Sequence, residues 1–115
     1  AVEIINSLQK NKLQLVHDTF HHKISNDNNF FSTLTGLVHF SGVFNKFKNI
    51  DLLDDHRSFV DEVDIIDNIS QIKKLIKENY NGYFSFEPFS NELITNKDIF
   101  EITKNCLSFI RKKIQ

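Results

Sequence analysis

Asp18, His39 and Glu87 carry the clearest chemical potential in this chain. Each closes a short apolar run: Leu13 to Val16 leads through His17 into Asp18, Leu37 and Val38 lead into His39, and Tyr83 to Phe86 lead into Glu87. One ionisable residue at the end of one apolar strand is an ordinary turn or cap. The same placement in three strands is a pattern, because parallel strands bring their carboxyl ends to one rim, where α/β sheets bind ligands. Two carboxylates and an imidazole suit a divalent cation such as Mn2+, Mg2+, Co2+ or Zn2+. A structural zinc site built of thiolates is excluded, since the chain has a single cysteine.

Three of the five histidines, His17, His21 and His22, crowd around Asp18. Alternation along a strand puts Leu13, Leu15 and His17 on one side and Gln14, Val16 and Asp18 on the other. His17 is therefore expected to pack toward the helices rather than to join Asp18.

The elements that must hold these residues follow from spacing. Val2, Ile4, Ile5 and Leu8 predict a helix within residues 1–10, with Asn11 and Lys12 as the connection to the first strand. The polar run Asn26 to Asn29 predicts a loop, followed by a short helix from Phe30 to about Leu34. Gly36 breaks that helix before the second strand, Leu37 to Phe40. Residues 43–67 are irregular, with a helical turn expected at residues 52–57. Asp67 or Asn68 can cap a helix to about Glu78 whose buried face is Ile69, Ile72 and Ile76. Asn81-Gly82 turns the chain into the third strand, Tyr83 to Glu87, which Pro88 stops. A last helix, capped by Asn96 or Asp98, carries the stripe Ile99, Ile102, Cys106, Phe109 and Ile110, and ends on Arg111, Lys112 and Lys113. Helices alternating with strands predict an α/β fold of parallel βα units.

Composition bounds the rest. The 115 residues predict one domain, and 40% apolar content with 12 Phe supplies a core. A net charge of −1 and the lack of a long basic run argue against a nucleic-acid binder. No apolar run reaches the ~20 residues of a membrane span. Cys106 reads as a buried structural thiol, which suits a reducing, cytoplasmic setting.

Four segments, Val16-His-Asp-Thr-Phe-His-His22, Gly36-Leu-Val-His-Phe-Ser-Gly-Val43, Asp55-His-Arg57 and Gly82-Tyr-Phe-Ser-Phe-Glu-Pro-Phe89, resemble in order the last strands of the xylose-isomerase-like TIM barrels. Within that superfamily of sugar isomerases and epimerases they look most similar to the 2-keto-myo-inositol isomerase (inosose isomerase) group. The resemblance implies the carboxyl-terminal part of a barrel, about strands 6 to 8, over residues 1–115 as a single partial domain. It implies Asp18, His39 and Glu87 as metal ligands, Glu87 also as the catalytic proton-transfer base, His21 as a contact to substrate oxygens and Arg57 as a residue over the substrate. It implies a sugar or cyclic polyol ketone as substrate, isomerised or epimerised by proton transfer through an enediolate. His56 accompanies Arg57 with no role assigned.

The family's fourth ligand, a Glu at the end of strand 5, has no counterpart in this chain, and a complete barrel takes about 250 residues. The chain alone is therefore expected to be inactive, with Val16 and Tyr83 facing water until self-association or an amino-terminal half-barrel covers them. The alternatives are a DNA-repair nuclease like endonuclease IV, which needs more His and carboxylate ligands and a basic surface, and a half-barrel that associates without catalysing anything.

Overall fold

The computed structural model describes residues 1–7 and 13–115. The first helix, α1, is Val2–Ser7; the expectations for Leu8, Asn11 and Lys12 fall outside the described residues. Strand β1 (Leu15–Asp18) runs directly into α2 (Thr19–Ile24). A 3-10 turn, Ser32–Leu34, stands where a short helix was expected and feeds β2 (Thr35–Phe40). Two further 3-10 turns, Asn45–Phe47 and Asp54–His56, punctuate the long connection to α3 (Asn68–Lys77). Strand β3 (Tyr83–Phe86), a short helix α4 (Asn91–Ile94) and α5 (Ile99–Ile114) complete the chain.

The three strands form one parallel sheet in the order β1-β2-β3. This is the α/β arrangement expected, with α2 and α3 serving the two crossovers. Strand alternation divides the sheet's faces. Val38, Phe40, Phe84 and Phe86 point toward the helices, where Val38 packs with Leu75 and Tyr80, and Phe40 with Phe59, Ile72, Cys106 and Ile110. The opposite face is open: Val16 is 55% and Tyr83 84% exposed, as expected of a partial barrel. Asp18, His39 and Glu87 belong to this open face, two residues beyond Val16, Leu37 and Ser85.

Helix ends are set by local polar contacts. Asn79, with φ of 68°, ends α3 in a left-handed turn. Its N–H reaches Ile76 O, and that of Tyr80 reaches Leu75 O, closing a Schellman motif. At the other end the cap is Asp64, which accepts from Asn68 N at 3.0 Å; neither Asp67 nor Asn68 caps through its own side chain. The buried face of α3 also differs from expectation. Gln71, Ile72 and Leu75 are buried, whereas Ile76 is 44% exposed. The face turns because Gln71 is recruited into a polar network. On α5 the expected stripe holds, with Cys106 and Ile110 buried. The Cys106 thiol donates to Val60 O at 3.3 Å, and burial pushes its pKa up to about 12, so it is an inert packing group.

Candidate metal centre

Asp18, His39 and Glu87 meet at the carboxyl rim of the sheet. β1 and β2 register Asp18 against His39, and Glu87 N donates to Phe40 O at 3.0 Å, continuing the β3 ladder one residue past the strand. Each residue offers one ligand atom, and these atoms lie within 4.8 Å of one another. His39 Nδ1 already stands 3.0 Å from Glu87 Oε1. Donors around a divalent ion bound at about 2.1 Å sit about 3–4 Å apart, so small side-chain rotations close the set. Two carboxylates and one imidazole, all part-buried, therefore fit such an ion.

Asp18 has a second structural duty. Its Oδ1 accepts from Phe20 N at 2.9 Å and His21 N at 3.1 Å, capping α2, while Oδ2 accepts from Arg57 Nη2 at 2.9 Å. Burial alone would raise the pKa of this carboxyl. The His21 N–H and the Arg57 charge overcome that and hold it below the ordinary 3.8.

Arg57, expected over the substrate, lies buried with its side chain only 2% exposed. Its Nη2 also donates to Glu87 Oε2 at 2.7 Å, Nη1 to Asp54 Oδ1 at 3.2 Å and Nε to Ser41 Oγ at 2.8 Å. His21, expected against substrate oxygens, is exposed on the first turn of α2. It lines a hollow of about 460 Å³ beside β1 together with Val16, Asp18, His22 and Ser25. That hollow includes neither His39 nor Glu87. Of the three candidate ligands, only Asp18 lines it. His56, unassigned from sequence, accepts from Leu53 N through Nδ1 at 3.0 Å and stacks on Phe47, shaping the turn before Arg57.

Sequence reading missed the struts behind the rim. Asp64 accepts from Val43 N, Ile66 N and both Asn68 nitrogens. Asn68 in turn donates to Ser41 O and accepts from Thr19 Oγ1 at 2.6 Å, tying the ends of β1 and β2 to α3. Gln71 donates to Thr19 O and Ile66 O. The signal available was Asn68 and Gln71 on the otherwise apolar face of a helix.

His17 packs as expected. It lies on the helix side, within 3.1 Å of Gln71 Oε1 and stacked on Phe30, with His22 at 4.6 Å between ring centroids. Burial lowers the His17 pKa below 6.5, against the Gln71 hydrogen bond and the Asp18 charge; burial and then the His17 charge lower that of His22. Both rings prefer to be neutral when folded, so the unfolded chain takes up protons first as pH falls. Stability contributed here is full above the unfolded value of 6.5 and declines below it. The urea midpoint is expected to drop between about pH 7.5 and about pH 5.5, and the pair of substitutions His17→Asn and His22→Asn to flatten that drop. An equally steep drop in the double variant would remove the two rings as its source.

No protein-family model matches the chain, and no curated protein matches it. Among solved structures, it is similar to the crystal structure of a xylose isomerase domain containing protein from Salmonella typhimurium LT2. The identity is 27%, the TM-score 0.81, and the match covers 99% of this chain. The fold is xylose-isomerase-like. The chain spans 43% of the length of that protein. Its three parallel strands accordingly correspond to part of a TIM-barrel-like fold, and the open face of the sheet is the one a xylose-isomerase-like barrel turns inward.

Proposed function

We propose that this chain is the carboxyl-terminal part of a divalent-metal-dependent sugar or keto-inositol isomerase or epimerase, with the inosose isomerase group as the nearest functional comparison. The observation that carries the reading is the convergence of Asp18, His39 and Glu87, one from each of three parallel strands, on the open rim of a xylose-isomerase-like sheet. These three residues would hold the cation. Bound there, it would supply a Lewis acid for adjacent carbonyl and hydroxyl oxygens of the substrate.

The proton is moved by the protein. The Glu87 carboxylate takes it from the hydroxyl-bearing carbon next to the carbonyl, the electron pair of that C–H bond passes into an enediolate, the hydroxyl proton passes to the former carbonyl oxygen, and Glu87 returns its proton to the former carbonyl carbon. Epimerisation needs a proton delivered to the other face of the same carbon by a second acid, which the missing part of the wall would supply. His21, exposed beside Asp18, orients a substrate oxygen. An amino-terminal half-barrel or a second copy supplies the rest of the wall. The exposed Val16 and Tyr83, together with edge strands β1 and β3, which pair with no further strand among the described residues, support this. A cytoplasmic setting suits the lone buried thiol.

The test is solvent exchange. The full-length protein, loaded with Mn2+ or Co2+ and mixed with 2-keto-myo-inositol or a ketohexose in D2O, should incorporate deuterium at the carbon beside the carbonyl. Metal analysis should give about one ion per barrel; about three would favour the nuclease alternative. Neither metal uptake nor exchange with any ketose or cyclic polyol ketone would sink the proposal and favour a non-catalytic half-barrel.

A further inference from the structure

Among the described residues, the largest fully buried side chain is a charged one, Arg57. A buried guanidinium needs partners for its donors. Here they come from every strand end: Asp18 closing β1, Ser41 just after β2 and Glu87 just after β3, with Asp54 from the turn just before it. Its Cζ lies over the Phe20 ring at 5.1 Å and the Phe89 ring at 4.8 Å. Its main-chain oxygen accepts from Phe89 N and Ser90 N, so the segment after Glu87 is tied to the same residue.

We propose that Arg57 is a positioning residue of the metal centre, bridging Asp18 and Glu87 through one nitrogen and so holding two non-adjacent strand ends in ligand geometry. The inference rests on the metal reading above. β1 and β3 are separated by β2, so no ladder bond fixes Asp18 relative to Glu87. Two carboxylates this close repel each other. Nη2 removes the problem by donating to one oxygen of each, at 2.9 and 2.7 Å. Ser41 and Asp54 fix the fork on its other nitrogens, so the bridge cannot rotate away. Lone pairs remain on both carboxylates for a cation. A lysine would bring the charge without the planar fork.

Two effects of Arg57 oppose each other at the metal. Its charge repels a dication, while its bridge preassembles the ligands. Outer partners that orient metal ligands generally contribute about 10–100-fold in affinity, so preassembly should win.

Co2+ is the probe, titrated into the full-length protein and followed by calorimetry and by its visible absorption band, with circular dichroism to monitor the fold. Arg57→Met should weaken binding by about 10–100-fold and change the band. Arg57→Lys should not restore wild-type binding, and Ser41→Ala should shift affinity the same way by a smaller factor. A folded Arg57→Met protein that binds Co2+ as tightly as wild type or more tightly, with an unchanged band, overturns the inference. So does full rescue by Arg57→Lys, which would assign the effect to charge alone. Should Arg57→Met not fold, wild-type affinity and band in both Arg57→Lys and Ser41→Ala overturn it. A wild-type protein that takes up no Co2+ instead removes the metal reading, and this inference with it.

Discussion

Asp18→Ala will abolish metal binding and unfold part of the rim, while Asp18→Asn will abolish metal binding at a smaller cost in stability, because it keeps the cap. The difference follows from the three duties of one carboxylate. Asp18 offers a ligand oxygen, caps α2 through Phe20 N and His21 N, and pairs with Arg57. Alanine removes all three. Losing the cap costs about 1 kcal/mol. Losing one partner of a buried ion pair costs about 3–5 kcal/mol, and the low end applies because Glu87 and Asp54 still hold Arg57. Asparagine caps as well as aspartate through its one oxygen, but its amide nitrogen, a donor, then stands where Oδ2 accepted from Arg57, and without the charge it is a poor ligand. Urea unfolding and a Co2+ titration of both variants separate the effects. A stable Asp18→Asn protein that still binds Co2+ at wild-type affinity would remove Asp18 from the metal centre.

Gly42→Ala is expected to be nearly as damaging, although Gly42 has no side chain to offer a metal. No glycine among the described residues has positive φ, so its conformational freedom is not the reason. The reason is close approach. Gly42 N donates to Ser58 O at 2.8 Å and Ser58 N to Gly42 O at 2.7 Å, pressing the two chains together. A Cβ at position 42 would overlap the Phe59 carbonyl oxygen and stand 2.9 Å from Val60 Cα, both backbone and unable to yield cheaply. The segment from Ser58 must then move outward, carrying Arg57 off Asp18 and Glu87. Such overpacking costs about 1–3 kcal/mol, and the upper end is expected here. Urea denaturation reads the loss, and the same Co2+ titration should show weaker binding. Wild-type stability in Gly42→Ala would mean that the Gly42–Ser58 bridge does not hold Arg57.

Much of the candidate site was legible in the sequence. Apolar runs ending in Asp18, His39 and Glu87 located the rim, and period-two alternation separated Asp18 from His17 correctly, since neighbouring residues on a strand face opposite ways. The exposed Val16 and Tyr83 followed from the barrel resemblance, in which three strands alone leave one face of the sheet bare. Arg57 was singled out as a residue over the substrate, but its burial was not legible, since only the fold brings four acceptors around it. The buried face of α3 was misread at Ile76, because an apolar pattern cannot foresee that Gln71 will be buried to bond Thr19 and Ile66. Helix α4 and the 3-10 form of residues 32–34 escaped as well, both being too short to show a period.

Taken alone, the sequence determined the parallel α/β character and the strand ends that carry donors, because these depend on local spacing and on the types of neighbouring residues. Tertiary structure decided what joins the donors. Asp18 and Glu87 stand 69 residues apart along the chain with β2 between their strands. Their union depends on a guanidinium delivered by a long connection, on the Asp64–Asn68 strut and on a glycine with no room for a methyl group. Each is a long-range geometric match between chemically ordinary residues, and such a match leaves no periodic trace in the order of the amino acids.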